Sequence, residues 1–178
     1  MGKTILKYGL IAGIIAGLPM SYMCIASKDE LPPSWGMLVG YLTMLVAFST
    51  IFIAIKRQRD IERGGVIRFW PALGIGLGIS LIASLIYMLA WEAAMAMTDI
   101  DFIAAYSQAM IAEQKAKGAS AEAIAALSAE METLAVNYAN PLFRMPMTFA
   151  EIFPVGVLVS LVSAALLCNR RFLPVVRR

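Results

Sequence analysis

Apolar positions along this chain gather into four long runs, Ile5–Ala26, Trp35–Ile55, Trp70–Met97 and Met145–Cys168. Polar and charged stretches separate them. Each run is long enough to cross ~30 Å of hydrocarbon as a helix, which takes about 20 residues. Inside a bilayer only helices and closed barrels satisfy their backbone hydrogen bonds, and runs this long and continuous are helices. The pattern predicts an all-α integral membrane protein built as a four-helix bundle. Lys3 and Lys7 precede apolar residues at the start of the first run, as in a secretory leader. The run is long for a leader and has no clear small-x-small cleavage site before Lys28, so it reads as a retained span.

The segment 98–140 follows a different pattern. It is polar enough for water, and Ile103, Tyr106 and Met110 share one helical face. Beyond Gly118, the residues Ile124, Leu127, Met131, Leu134 and Tyr138 recur in alternating gaps of three and four, a heptad-like seam. Gly118 suits the end of a first helix and Ser120 the cap of a second. Asn140-Pro141 closes the segment, because proline disfavours helix at the residue before it. These signals predict an extramembrane αα-hairpin between spans three and four, its first helix able to run on from span three. The hairpin is acidic: Asp99, Asp101, Glu113, Glu122, Glu130 and Glu132 stand against Lys115 and Lys117. Its seam either packs the two helices together or docks a partner. Packing is preferred, since two short helices need that contact to be stable.

Charge orients the bundle. The loop after span two carries Lys56, Arg57, Arg59, Arg63 and Arg68, and the C-terminal tail carries Arg170, Arg171, Arg177 and Arg178. Lys3 and Lys7 lie near the N terminus, whereas the loop after span one, SKDELPPS, balances Lys28 against Asp29 and Glu30. Basic residues favour the cytoplasmic side. Both termini are therefore expected in the cytoplasm and segment 98–140 outside, with the basic clusters acting as topology anchors and not as nucleic-acid sites. Trp35 and Trp91 are expected in the outer aromatic belt and Trp70 in the inner one.

Composition removes several chemistries. The 178 residues are 60% hydrophobic and include two cysteines and no histidine. Zinc, haem and iron–sulfur sites have no evident ligands, no cofactor is expected, and a histidine-based triad is excluded. Cys24 and Cys168 are expected at opposite membrane faces, too far apart for a disulfide.

Small residues mark helix contacts, because membrane helices associate through close packing. Gly9, Gly13 and Gly17 share a face of span one, Gly74 and Gly78 lead to Ser80 and Ser84 in span three, and Gly156 leads to Ser160 and Ala164 in span four. Most of these faces are expected to pack within one chain, with span one the best candidate for a homodimer. The string GIGLGIS resembles a phosphate loop, but it lies mid-span without a preceding strand or a Lys-Ser/Thr pair.

Two carboxylates lie inside apolar runs, Glu92 and Glu151, and Arg144 stands two helical turns before Glu151 on nearly the same face. A charge within a span costs at least ~2.5–3.5 kcal/mol unless it is paired or wet. Pro154 has no N–H, so the carbonyl of Ala150 loses its helical donor. With Thr148 one turn earlier, Glu151 and Pro154 are expected to form a small polar pocket, serving either as a ligand, ion or proton site or as an internal latch. The Glu151 carboxyl is expected to point into the bundle, with Arg144 its first candidate partner. Glu92, nearer the interface, can snorkel to water.

The stretches GYLTMLVAFSTIFIAIKRQRD, GGVIRFWPALGIGLGISLIASLIY and NPLFRMPMTFAEIFPVGVLVSLVSAALL resemble a family of small four-helix bacterial membrane proteins catalogued only as a domain of unknown function. The resemblance implies four spans and a bacterial inner membrane, and supplies no activity. The first functional expectation is a non-enzymatic protein of that membrane. It would bind a lipid, small molecule or protein partner through the outer-half polar pocket and the periplasmic hairpin. The alternative is a small dimeric transporter or channel using Glu151, Glu92 and Arg144. Membrane lipid, a second copy and a periplasmic protein are the expected partners. A lipid-active enzyme ranks last, since no nucleophile or metal partner accompanies the acids.

Overall fold

The computed structural model describes residues 1–26, 35–98 and 102–174. Six α-helices are present among them: α1 (Gly2–Ala26), α2 (Trp35–Arg57), α3 (Phe69–Met97), α4 (Phe102–Ala116), α5 (Ala121–Tyr138) and α6 (Pro141–Cys168). A π-helical turn, Gln58–Glu62, extends α2. The four predicted runs fall in α1, α2, α3 and α6, each long and apolar enough to cross a membrane. The loop SKDELPPS, Asp99, Asp101, Arg177, Arg178 and the side chains of Cys24 and Trp35 lie outside the described residues. Cys168 is a free thiol.

Helix α3 is the centre of the bundle, packing along both α1 and α6, while α2 closes the far side against the same two helices. The axis between the spans is filled by Phe48, Ile51, Ile55, Ile75, Ile79, Ile152 and Leu167, all fully buried. Large apolar side chains on the outside, such as Leu42, Val46, Leu89 and Leu158, are exposed as lipid-facing residues should be.

Glycine allows the closest approaches, but not all at the expected places. A Cβ on Gly9 or Gly13 would lie 2.7 Å from Ile82 or Ile86, and one on Gly17 would lie 3.1 Å from Ala90. The face of span one picked out as a homodimer candidate is thus occupied by α3 of the same chain. Gly78 meets Ile5 in the same seam, whereas Gly74 faces open space and is no contact. Gly76 takes the role assigned to Gly74. It abuts Ser160 on α6 while Gly156 abuts Ser80 on α3, and the two serine hydroxyls meet at 3.1 Å. Each serine also bonds the carbonyl of the glycine four residues earlier. Two Gly-x-x-x-Ser faces therefore interlock, with their hydroxyls satisfied inside the bundle.

The extramembrane segment forms the expected hairpin. Gly118 ends α4 with a φ of +76°, a left-handed conformation that glycine adopts without steric cost. The Ser120 hydroxyl accepts from the amide of Ala123, and Asn140 caps α6 by accepting from the amide of Leu142. The seam turns inward: Met131 and Tyr138 are buried, and Ile124, Leu127 and Leu134 are half-buried. Thr98 is extended at the end of α3, so α4 does not run on from span three.

At the bundle end that carries the N terminus, one of the basic residues read as anchors is part of the core. Arg59 is 1% exposed. Its guanidinium donates to the carbonyls of Phe172 at 2.9 Å and Leu173 at 2.6 Å, and its Nε to Asp60 at 2.6 Å. It thus satisfies backbone acceptors in the turn past α6, and its guanidinium also reaches, at 3.5 Å, the carbonyl of Leu167, one of those a helix end leaves without a donor.

Candidate functional site

The hairpin end of the bundle brings together Trp91, Glu92, Tyr138, Arg144 and Thr148 from α3, α5 and α6. Asn140-Pro141 starts α6 immediately after α5, so Arg144 enters the first turns of α6 beside the last turns of α3. Its Nε donates to Glu92 Oε1 at 2.8 Å and its Nη2 to Oε2 at 2.5 Å. This two-pronged pair matches the planar fork of guanidinium to carboxylate. Both partners are largely shielded, with 12% of the Arg144 and 18% of the Glu92 side chain exposed. A third donor of Arg144 reaches the Tyr138 carbonyl at 3.3 Å, and its guanidinium stands 5.5 Å from the Tyr138 ring centre.

Tyr138 is also held from α3. The Trp91 indole N–H donates to its hydroxyl at 2.8 Å, and both rings are buried with Ile103 of α4 in a small apolar cluster. Trp91, expected in the aromatic belt, is instead a core residue, because the hairpin folds over it. Burial pushes the Tyr138 hydroxyl up to about 12, and the charges of Glu151 and Glu92 add to the rise, while the Trp91 hydrogen bond and Arg144 oppose it. The phenol therefore stays protonated at neutral pH.

Glu151 is near enough for its charge to act on Tyr138, but it stands outside the hydrogen-bonded network. It is exposed on the surface of α6 and makes no hydrogen bond among the described residues. The expectation that it points into the bundle toward Arg144 is corrected by helix geometry. The bundle-facing line of α6 runs through Thr148, Ile152, Gly156 and Ser160. A residue one position before Ile152 is turned about 100° away from that line, since a helix makes 3.6 residues per turn. Arg144 reaches sideways to Glu92 at its own level rather than about 10 Å down its own helix. Thr148 is buried, but its hydroxyl donates to the Arg144 carbonyl at 3.1 Å and not to Glu151. Pro154 is exposed, and α6 runs unbroken through it. The five expected residues thus divide: Glu92, Arg144 and Thr148 converge with Trp91 and Tyr138, while Glu151 and Pro154 sit on the outward face below them.

Among the described residues no cluster of three or more acids and cysteines could hold a metal ion. The polar groups at the hairpin end satisfy one another and form a structural joint between hairpin and bundle. The Glu151 carboxylate stands outside this network, with no hydrogen bond among the described residues.

No curated protein and no solved structure matches the chain. The model of one protein family matches residues 7–169, nearly the whole length. The chain belongs to the family described as Protein of unknown function (DUF4199).

Proposed function

We propose that this is a non-enzymatic protein of a bacterial inner membrane that binds a membrane-embedded protein partner through the outward face of α6 at Glu151. Both termini lie in the cytoplasm in this reading, and the hairpin stands in the periplasm above the binding face. The observation that carries it is the exposed Glu151, inside an apolar span and without a hydrogen-bond or salt-bridge partner among the described residues. A carboxylate facing hydrocarbon costs several kcal/mol, and intramembrane acids are retained mainly where function needs them. A partner helix offering a basic or hydroxyl side chain removes that cost. The Arg144–Glu92 pair and the Trp91–Tyr138 bond hold the hairpin in register with this face, so a partner can touch both at once. The transporter reading gains no support from the bundle axis, which is filled with isoleucine, leucine and phenylalanine; any path would have to run between copies.

Membranes solubilised in a mild detergent test the proposal. The wild-type protein is expected to migrate as a complex larger than its own oligomer, and Glu151→Ala is expected to lose the extra mass. Identical migration of the two would remove the reading.

A further inference from the structure

The opposite end of the bundle holds a cleft of about 180 Å³ between the start of α1 and the end of α2, lined by Lys3, Thr4, Lys7, Tyr8, Arg57, Gln58 and Glu62. It is smaller than the ~300–1,000 Å³ of pockets for drug-sized ligands, and suits a small charged group. Gln58, 3% exposed, forms its floor. The Gln58 side chain is committed on both sides, accepting from the Thr4 hydroxyl at 3.2 Å and donating to Glu62. Lys3 and Lys7 are one turn apart on the same face of α1, and Arg57 contributes a third cation from α2. None of the three makes a salt bridge among the described residues, where the four pairs use Lys56, Arg59, Lys117 and Arg144. Three cations therefore face one carboxylate already held by Gln58.

What lies below the cations identifies the ligand. On α1 the line of Lys3 and Lys7 continues into Leu10 and Ile14, which are 44% and 50% exposed. On α2 the line of Arg57 continues into Ile53 and Val46, 52% and 60% exposed. Positive charge sits where the apolar spans begin and end, and exposed hydrocarbon-facing stripes run away from it. A soluble anion would use the cations alone. A phospholipid would use both, with its phosphate at the cleft and its chains along the stripes.

We propose that this cleft binds the phosphate headgroup of an anionic phospholipid, held by Lys3, Lys7 and Arg57. Basic pockets between membrane helices recognise such headgroups, and each cation near the surface strengthens the attraction about fivefold. The site is at the end of the bundle remote from Glu151 and is independent of the function proposed there.

The test uses the full-length protein in a neutral detergent, with dioleoyl phosphatidylglycerol, dioleoyl phosphatidylcholine and inorganic phosphate as separate probes. Bound lipid is read by native mass spectrometry and stability by the thermal midpoint. Phosphatidylglycerol is expected to bind and raise the midpoint, and phosphatidylcholine and inorganic phosphate are not. The double variant Lys7→Gln/Arg57→Gln is expected to lower the anionic-over-neutral preference about thirtyfold, from about fivefold per cation. Lys115→Gln/Lys117→Gln removes the same charge from the hairpin and is expected to leave the preference intact, as is the charge-keeping Lys7→Arg. Equal retention of the two lipids, an equal loss in the hairpin variant, or a shift reproduced by inorganic phosphate would each overturn the proposal.

Discussion

Arg144 on α6 and Glu92 on α3 form a two-pronged ion pair across 52 positions of sequence, at 2.8 and 2.5 Å. This pair clasps the two helices at the hairpin end of the bundle, and its removal should be felt strongly. Breaking a shielded pair by deleting one partner leaves the other charge without compensation, at a cost of roughly 3–5 kcal/mol when fully buried. With part of each side chain still exposed, about 2–3 kcal/mol is expected for Arg144→Ala or Glu92→Ala. Thermal unfolding in detergent checks this. The double variant Arg144→Met/Glu92→Leu should recover most of the loss, because neither charge is then stranded. Strict additivity of the two single losses would show that the residues do not act as a pair.

Tyr138 and Trp91 fasten the hairpin to the bundle. Trp91→Phe removes one hydrogen bond and keeps most of the ring, so about 1 kcal/mol is expected. The effect should be local: backbone amides of α4 and α5 should exchange faster, while those of α3 and α6 mid-span should not. Exchange measured by mass spectrometry distinguishes this from general loosening.

The same phenol sets an alkaline limit. Its ordinary value is 10.0, and in the folded protein it is pushed up to about 12 by burial. Folding thus favours the protonated phenol. That contribution is fully present below pH 10 and is lost as pH rises from 10 to 12. Stability followed across this window should fall in the wild type, and the part due to this group should vanish in Tyr138→Phe.

Three small residues of α3 and α6 should behave in opposite ways. Gly156→Val should be strongly destabilising, since even a Cβ there would lie 2.6 Å from the Ser80 hydroxyl and 2.9 Å from Phe48. Gly74→Ala should be neutral or stabilising by up to about 1 kcal/mol, because open space surrounds it and alanine favours the helix. Ser84→Ala should also be neutral or stabilising, since its hydroxyl is buried with no hydrogen-bond partner among the described residues. Thermal midpoints of the three variants would test the packing of the α3 seam.

These contrasts show what could be read from sequence alone. The spans were legible because hydrocarbon demands long apolar runs, and the hairpin because Gly118, Ser120 and Asn140-Pro141 signal locally. The rotation of each helix about its axis was not legible. It decides that Gly76 and not Gly74 meets α6, and that Glu151 turns outward while Thr148 turns in. Two residues in one glycine-rich string look alike until the neighbour is placed. The Glu92–Arg144 pair was hidden for a related reason. Both residues were visible as charges in apolar runs, but Arg144 was matched to the acid on its own helix, because no periodic signal links different helices. Arg59 was indistinguishable from its basic neighbours, although it is the one wrapped by the C-terminal turn.

Glu151 carries the central claim, and its surroundings in the native membrane test it most directly. A photo-crosslinking residue at Met147, one turn above Glu151 and 48% exposed, would report what lies against this face of α6. In intact cells the account predicts one discrete protein adduct with Glu151 present, lost in Glu151→Ala, with the protein's own abundance unchanged. Crosslinking to lipid alone, or an adduct that persists at full strength in Glu151→Ala, would contradict it.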